Sequence, residues 1–168
     1  NAQYDTPFNL PANYFIKTGY TFVGWADSAD GEAIYADEEE VKNLTSDVNG
    51  SVTLYAVWEA NTFTVSFDKN TGTGEMADVD VVYDSEVSLP ECGFTKTGYT
   101  FIGWSDTADC TNIITDAQYD NLMTEEGDSI TLYAIWSENS YTLSFNANGG
   151  EGENIPATVY GYEATVPL

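Results

Sequence analysis

The sequence has no histidine and no arginine, and its only cationic side chains are four lysines. Against them stand 28 Asp and Glu, for a formal net charge of -24. This excludes two classes of partner. Nucleic acid is held by Lys and Arg that displace phosphate counterions, and anionic membrane surfaces attract the same side chains. No apolar run approaches the ~20 residues of a membrane helix, so no membrane insertion is expected. Without His or Arg, acid–base chemistry would fall to carboxylates, Tyr or Lys. A glycosidase needs only two carboxylates, but no pair stands out among the 28 acids. We expect no enzyme, no cofactor and no metal. Asp27-Ser28-Ala29-Asp30-Gly31 has Ala and Gly where a calcium loop wants acids, and reads as an Asx turn.

Aromatic residues are plentiful, at 14% of the chain, too many for a disordered acidic tail. They fall in a pattern that occurs twice. Lys17-Thr18-Gly19-Tyr20-Thr21-Phe22-Val23-Gly24-Trp25 returns later in the chain as Lys96-Thr97-Gly98-Tyr99-Thr100-Phe101-Ile102-Gly103-Trp104. Tyr20 and Phe22, like Tyr99 and Phe101, share one face of a strand. Trp25 and Trp104 are out of phase with that face. A bulge at Gly24 or Gly103 would return the indole to the core. Leu54-Tyr55-Ala56-Val57-Trp58 recurs at nearly the same spacing as Leu132-Tyr133-Ala134-Ile135-Trp136, and Tyr83 aligns with Tyr160 at a slightly shorter one. A period near 78 is long for a solenoid unit and suits a string of small domains. The chain opens on Asn and reads as a section of a longer one.

In order, each repeat reads strand, glycine turn, strand, loop, Gly-Tyr-Thr-Phe strand, short helix, strand. Thr115-x-x-Gln118 has capping-box spacing and opens the helix of the second copy. In the first copy Asp37 and Glu38–Glu40 load the same position with acids, which favours a helix N-terminus. Linkers of three or four residues, Glu59–Asn61 and Ser137–Ser140, follow each second Trp.

These motifs, together with Tyr141-Thr142-Leu143-Ser144-Phe145-Asn146-Ala147-Asn148-Gly149-Gly150, resemble the Listeria–Bacteroides repeat family, the internalin B-type B repeats. The resemblance covers nearly the whole chain and implies an α+β fold of tandem β-grasp (ubiquitin-like) repeats, mostly β with one short helix each. It implies a cell-surface or secreted protein of a Gram-positive bacterium, with a spacer, adhesion or interaction role and no catalysis. By this phase residues 1–60 are a repeat lacking its first strand, 61–138 a complete one, and 139–168 the first hairpin of a third.

Tyr20, Phe22, Trp25, Trp58, Tyr99, Phe101, Trp104 and Trp136 are expected in the core. Tyr4, Tyr35 and Tyr162 are the candidates for an exposed surface that would contact a glycan or host protein. Cys92 and Cys110 replace Asn13 and Gly31 together in the second repeat. An extracellular location permits a disulfide between them, and two buried free thiols are the other reading. The incomplete ends suggest self-association, with the last hairpin of one copy filling the first repeat of another.

Overall fold

The computed structural model describes residues 4–166. Among them the regular structure is nearly all strand, with one four-residue helix. The elements are β1 (Phe8–Asn9), β2 (Tyr20–Ala26), β3 (Glu40–Val41), β4 (Tyr55–Ala60), β5 (Thr62–Asp68), β6 (Val79–Val82), β7 (Tyr99–Ser105), α1 (Asp116–Tyr119), β8 (Ser129–Glu138), β9 (Ser140–Leu143) and β10 (Thr158–Gly161). They form a four-stranded sheet ordered β6-β5-β8-β7 and three two-stranded sheets, β2-β4, β1-β3 and β10-β9. Thr62 O accepts from Gly127 N and Thr64 N donates to Asp128 O, both at 2.9 Å, so β5 runs in the same direction as the segment entering β8. The first and last strands of the second repeat therefore lie side by side at the sheet centre. The chain divides into two compact units. The first holds the described residues up to Thr64 with Asp80–Glu86 and Asp120–Ser129; the second holds Val65–Val79, Val87–Tyr119 and Ile130 onward.

The expected bulge is present in both copies. In β2, Phe22 opposes Trp58 and Gly24 opposes Val57, leaving Val23 as the extra residue. In β7, Phe101 opposes Trp136 and Gly103 opposes Ile135, leaving Ile102. Gly24 has φ 150°, and a Cβ there would stand 2.6 Å from the Tyr35 carbonyl oxygen. The bulge turns the following Trp inward. Trp25 and Trp104 are 8% and 2% exposed, each with its ring edge-on to Phe22 or Phe101 at 5.1 and 5.0 Å. In the first unit Trp25, Leu10 and Val41 form the core, with Phe8, Phe22, Tyr35, Leu44, Leu54 and Ala56 packed around them. In the second, Trp104 packs against Phe67 and Phe94 at 4.9 and 6.0 Å.

Three expectations are corrected. The first repeat has no helix at Asp37–Leu44. There Glu39 caps the Ala36 amide at 2.6 Å and Asp37 takes the Asn13 amide at 2.9 Å. Glu38 and Asn43 adopt φ 56° and 54°, which a helix cannot contain. Val41 pairs instead with Phe8 in a two-residue ladder. In the second repeat the helix forms, with Thr115 N and Oγ1 donating to the Gln118 side chain at 3.1 and 2.8 Å. The linkers are also shorter than expected, because strand pairing continues past each Trp. A single residue, Asn61 or Asn139, separates β4 from β5 and β8 from β9.

The third concerns the disulfide: in this structure Cys92 and Cys110 are both free thiols, and each sulfur has a polar contact of its own. Cys92 Sγ donates to Phe94 O at 3.7 Å. Cys110 Sγ accepts from Asn70 Nδ2 at 3.0 Å and lies 3.8 Å from Ala134 O.

Candidate functional site

The arrangement that recurs in both units is a seat for a tyrosine on a glycine. Gly19 opens β2 at φ 76° and Gly98 opens β7 at φ 78°. Left-handed backbone at these positions is open to glycine without penalty. In the first unit the Tyr83 ring lies so close to Gly19 that a Cβ would run into it, and in the second the Tyr162 ring does the same at Gly98. Each ring is met edge-on by the tyrosine after the glycine. Tyr20 and Tyr83 are 5.8 Å apart at 74°, and Tyr99 and Tyr162 are 6.3 Å apart at 68°. A lysine covers the first ring of each pair, Lys17 at 3.4 Å from the Tyr20 centroid and Lys96 at 4.0 Å from that of Tyr99.

An asparagine holds each seat together. Asn61 N donates to Gly19 O at 2.9 Å, and Asn61 O accepts from Tyr83 N at 2.8 Å. Asn139 makes the same two bonds to Gly98 and Tyr162, both at 2.8 Å. Their side-chain oxygens accept from Thr21 and Thr100 Oγ1, each at 2.6 Å. Asn61 also donates to the Thr124 carbonyl at 2.6 Å and is 5% exposed. A carboxylate completes each seat. Tyr20 Oη donates to Asp84 Oδ2 at 3.2 Å. Burial raises the Tyr20 pKa, and the bond to Asp84 and that residue's charge raise it further. Tyr99 is raised in the same way by burial, then by a hydrogen bond to Glu163 and the charges of Glu163 and Glu138.

This geometry shifts one alignment made from sequence. Tyr83 follows β6 directly and Tyr162 follows β10 directly. The counterpart of Tyr83 is therefore Tyr162 and not Tyr160, which puts the two tyrosines in step with Gly19 and Gly98. Tyr4 stands at the same place one period earlier and is 68% exposed.

The three surface candidates therefore part company. Tyr35 bridges to Trp25 and is half-buried against the first core. Tyr162 covers Gly98 and is itself 48% exposed. Tyr4 alone stands free of such a seat among the described residues. Of the core candidates, Trp25 and Trp104 are buried, while Tyr20, Phe22, Trp58, Tyr99, Phe101 and Trp136 are half-buried. Phe22 meets Trp58 at 5.6 Å and Phe101 meets Trp136 at 5.9 Å, both edge-on. Sequence reading missed Asn61 and Asn139, whose recurrence between two aromatic strands was the available signal.

Asn70, Lys96, Asp109, Cys110 and Trp136 line a shallow groove in the second unit. Trp136 Nε1 is already spent on Lys69 O at 3.0 Å. Asp109 is held below its ordinary pKa by hydrogen bonds from Thr107 and then Thr111. Among the described residues no group of three or more His, Cys, Asp or Glu is placed to hold a metal ion. No helix among them is long and apolar enough to cross a membrane.

The Listeria-Bacteroides repeat domain matches residues 1–57 and again 63–135. The chain belongs to that family. It is 31% identical over 98% of its length to a putative Gly-rich membrane protein of Evansella cellulosilytica, covering 18% of that protein. It is 34% identical over 90% of its length to a putative membrane protein of the same organism, covering 21%. Internalin H of Listeria monocytogenes is 38% identical over 54% of the chain, which covers 15% of it. The chain thus spans about a fifth or less of the length of these relatives. No solved structure matches it.

Proposed function

We propose that this chain is a non-catalytic spacer in the extracellular part of a bacterial surface protein, built of β-grasp repeats divided at 1–60, 61–138 and 139–168. The observation that carries this reading is the repeated seat. Gly19 with Tyr83 and Gly98 with Tyr162 couple each repeat to the first hairpin of the next by the same contacts. The sheet order β6-β5-β8-β7, with first and last strands central and running together, supports the β-grasp assignment. The names of the relatives support a surface location, and the surplus of 24 negative charges keeps such arrays apart in solution.

The reading is tested in the parent protein by exchanging this segment for an unrelated spacer of equal length. Ligand binding and surface display by the rest of the protein should survive the exchange and weaken when the spacer is shortened. Loss of binding with an equal-length spacer, or direct capture of a glycan or host protein by this chain alone, would favour a binding module using Tyr4 and its neighbours.

A further inference from the structure

Each unit carries an exposed aliphatic pair at its bulge. The extra residue of the bulge, Val23 or Ile102, is 43% or 54% exposed. Ile34 and Ile113 are 51% and 56% exposed. The residues after them, Tyr35 and Ile114, bridge to Trp25 and Trp104 on the core side, so Ile34 and Ile113 face away from it. In the second unit Ile113 lies over the bulge, its Cγ2 3.5 Å from where a Cβ on Gly103 would stand. In the first, Ala33 Cβ is 3.0 Å from the same point on Gly24, and Ile34 follows it.

Single exposed aliphatic side chains are ordinary, but this pair recurs at one place in both repeats. Val23 and Ile34 are followed in the chain by a whole repeat, and Ile102 and Ile113 are preceded by one, yet the exposures are alike. The pair therefore belongs to the repeat and not to an end of the chain.

The charge around each pair has one sign. From Tyr20 to Asp37 the charged residues are Asp27, Asp30, Glu32 and Asp37, and from Tyr99 to Asp116 they are Asp106, Asp109 and Asp116. Neither stretch contains a lysine. The acids stand beside the aliphatic side chains. Asn112, next to Ile113, donates to both carboxylate oxygens of Asp106 at 3.0 Å. In the first unit the turn carrying Asp27 and Asp30 folds back on its strand, with Ala26 Cβ 3.2 Å from where a Cβ on Gly31 would stand. Lys17 and Lys96, which precede the two stretches, lie over Tyr20 and Tyr99.

We propose that the bulge face of each unit docks a cationic, apolar polypeptide segment in which Lys or Arg alternates with aliphatic side chains. The aliphatic side chains rest on Val23 and Ile34, or on Ile102 and Ile113, and the cations meet the carboxylates at the rim. A second copy of this chain is the wrong occupant, because it brings the same sign of charge to the contact. The seats and Tyr4 take no part, so this docking and the spacer reading can each fail alone.

The test titrates the whole isotope-labelled chain with synthetic peptides and follows it by NMR. A peptide of alternating lysine and leucine should bind once per unit, shift the amides of Val23, Ile34, Ile102 and Ile113, and weaken as salt is added. A lysine–serine peptide should bind more weakly by roughly tenfold or more, and a glutamate–leucine peptide should not bind. Ile102→Ser with Ile113→Ser should leave the site of the first unit alone, with the melting temperature unchanged because both side chains are exposed. The shift map of the wild type stands whether or not that variant folds. Equal binding of the lysine–leucine and lysine–serine peptides overturns the proposal, since charge alone would then suffice. So does binding of the glutamate–leucine peptide, a shift map centred on Tyr4 or the seats, or two sites surviving in the double variant.

Discussion

The ring of Tyr162 stands where a side chain on Gly98 would have to go. Gly98 is needed twice over, by its φ of 78° and by the ring above it. Gly98→Ala should cost about 1–2 kcal/mol from left-handed backbone alone, and should also unseat Tyr162. Thermal unfolding measures the first effect. The second should appear as chemical-shift changes at Tyr162 and faster exchange of its amide, which is bonded to Asn139 O. A stable Gly98→Ala protein with Tyr162 unmoved would show that the seat is incidental.

The two asparagines separate backbone from side-chain contributions. Both make the same main-chain bonds and both accept from a threonine hydroxyl. Asn61 is buried and donates to Thr124 O, whereas Asn139 is exposed. Asn61→Ala leaves the half-buried Thr124 carbonyl without its partner, at about 1–3 kcal/mol, while the exposed Thr21 hydroxyl turns to water. Asn139→Ala removes the partner of the already exposed Thr100 hydroxyl and should cost roughly 1 kcal/mol or less. Chemical denaturation of the two variants should therefore differ clearly. Equal losses would mean that the bond to Thr124 contributes little.

How far these features were legible in the sequence depended on their range. The bulges at Gly24 and Gly103 were readable because a Trp falls out of phase with the Phe that precedes it, a local signal. The capped turn at Thr115–Gln118 was readable for the same reason. The seat was not, because it joins Gly19 to Tyr83 and Gly98 to Tyr162, pairs that lie far apart along the chain. Nothing in a Val-Tyr-Asp or Gly-Tyr-Glu stretch signals its partner. The acids at Asp37–Glu40 misled because charge at a helix start and charge capping loop amides look alike in sequence. The bridge of Tyr35 to Trp25 was not legible, because a tyrosine beside an Asp-rich turn gives no sign of it. Joint occurrence of the cysteines in one repeat fixes no bond between them: each thiol is free and meets a partner of its own, Asn70 or the Phe94 carbonyl.

The tyrosines of the two seats make stability depend on alkaline pH. Burial and then the carboxylates of Asp84 and Glu163 raise the pKa of Tyr20 and Tyr99 in the folded chain. In the unfolded chain both ionise near pH 10. The neutral phenol is therefore favoured by folding, and this contribution is fully present below about pH 10. It is lost as pH rises through the raised folded values, because the unfolded state ionises first. Melting temperature should fall from about pH 10 upward, and Tyr20→Phe with Tyr99→Phe should flatten that fall. An absorbance titration should show three phenols lagging the rest, Tyr20, Tyr99 and Tyr119, the last raised by burial alone and left in place by the double variant. A double variant with the wild-type alkaline slope would remove the seats from the account.

The two bulge tryptophans look alike in sequence and differ in one bond. Trp104 Nε1 donates to Pro90 O at 3.2 Å. Trp25 Nε1 is buried with no partner among the described residues, although Pro11 stands one period before Pro90. Replacing either by Phe removes part of a ring from a packed core, at a cost common to both. Trp104→Phe additionally gives up a hydrogen bond and leaves the Pro90 carbonyl unpaired, about 1–3 kcal/mol more. Trp25→Phe instead removes an N–H that is desolvated without return, which offsets part of its packing loss. Trp104→Phe should therefore be the more destabilising by at least ~1 kcal/mol, read by calorimetry on the whole chain with hydrogen exchange assigning the loss to β2 or β7. If Trp25→Phe is equally costly, its indole N–H has found a partner in solution.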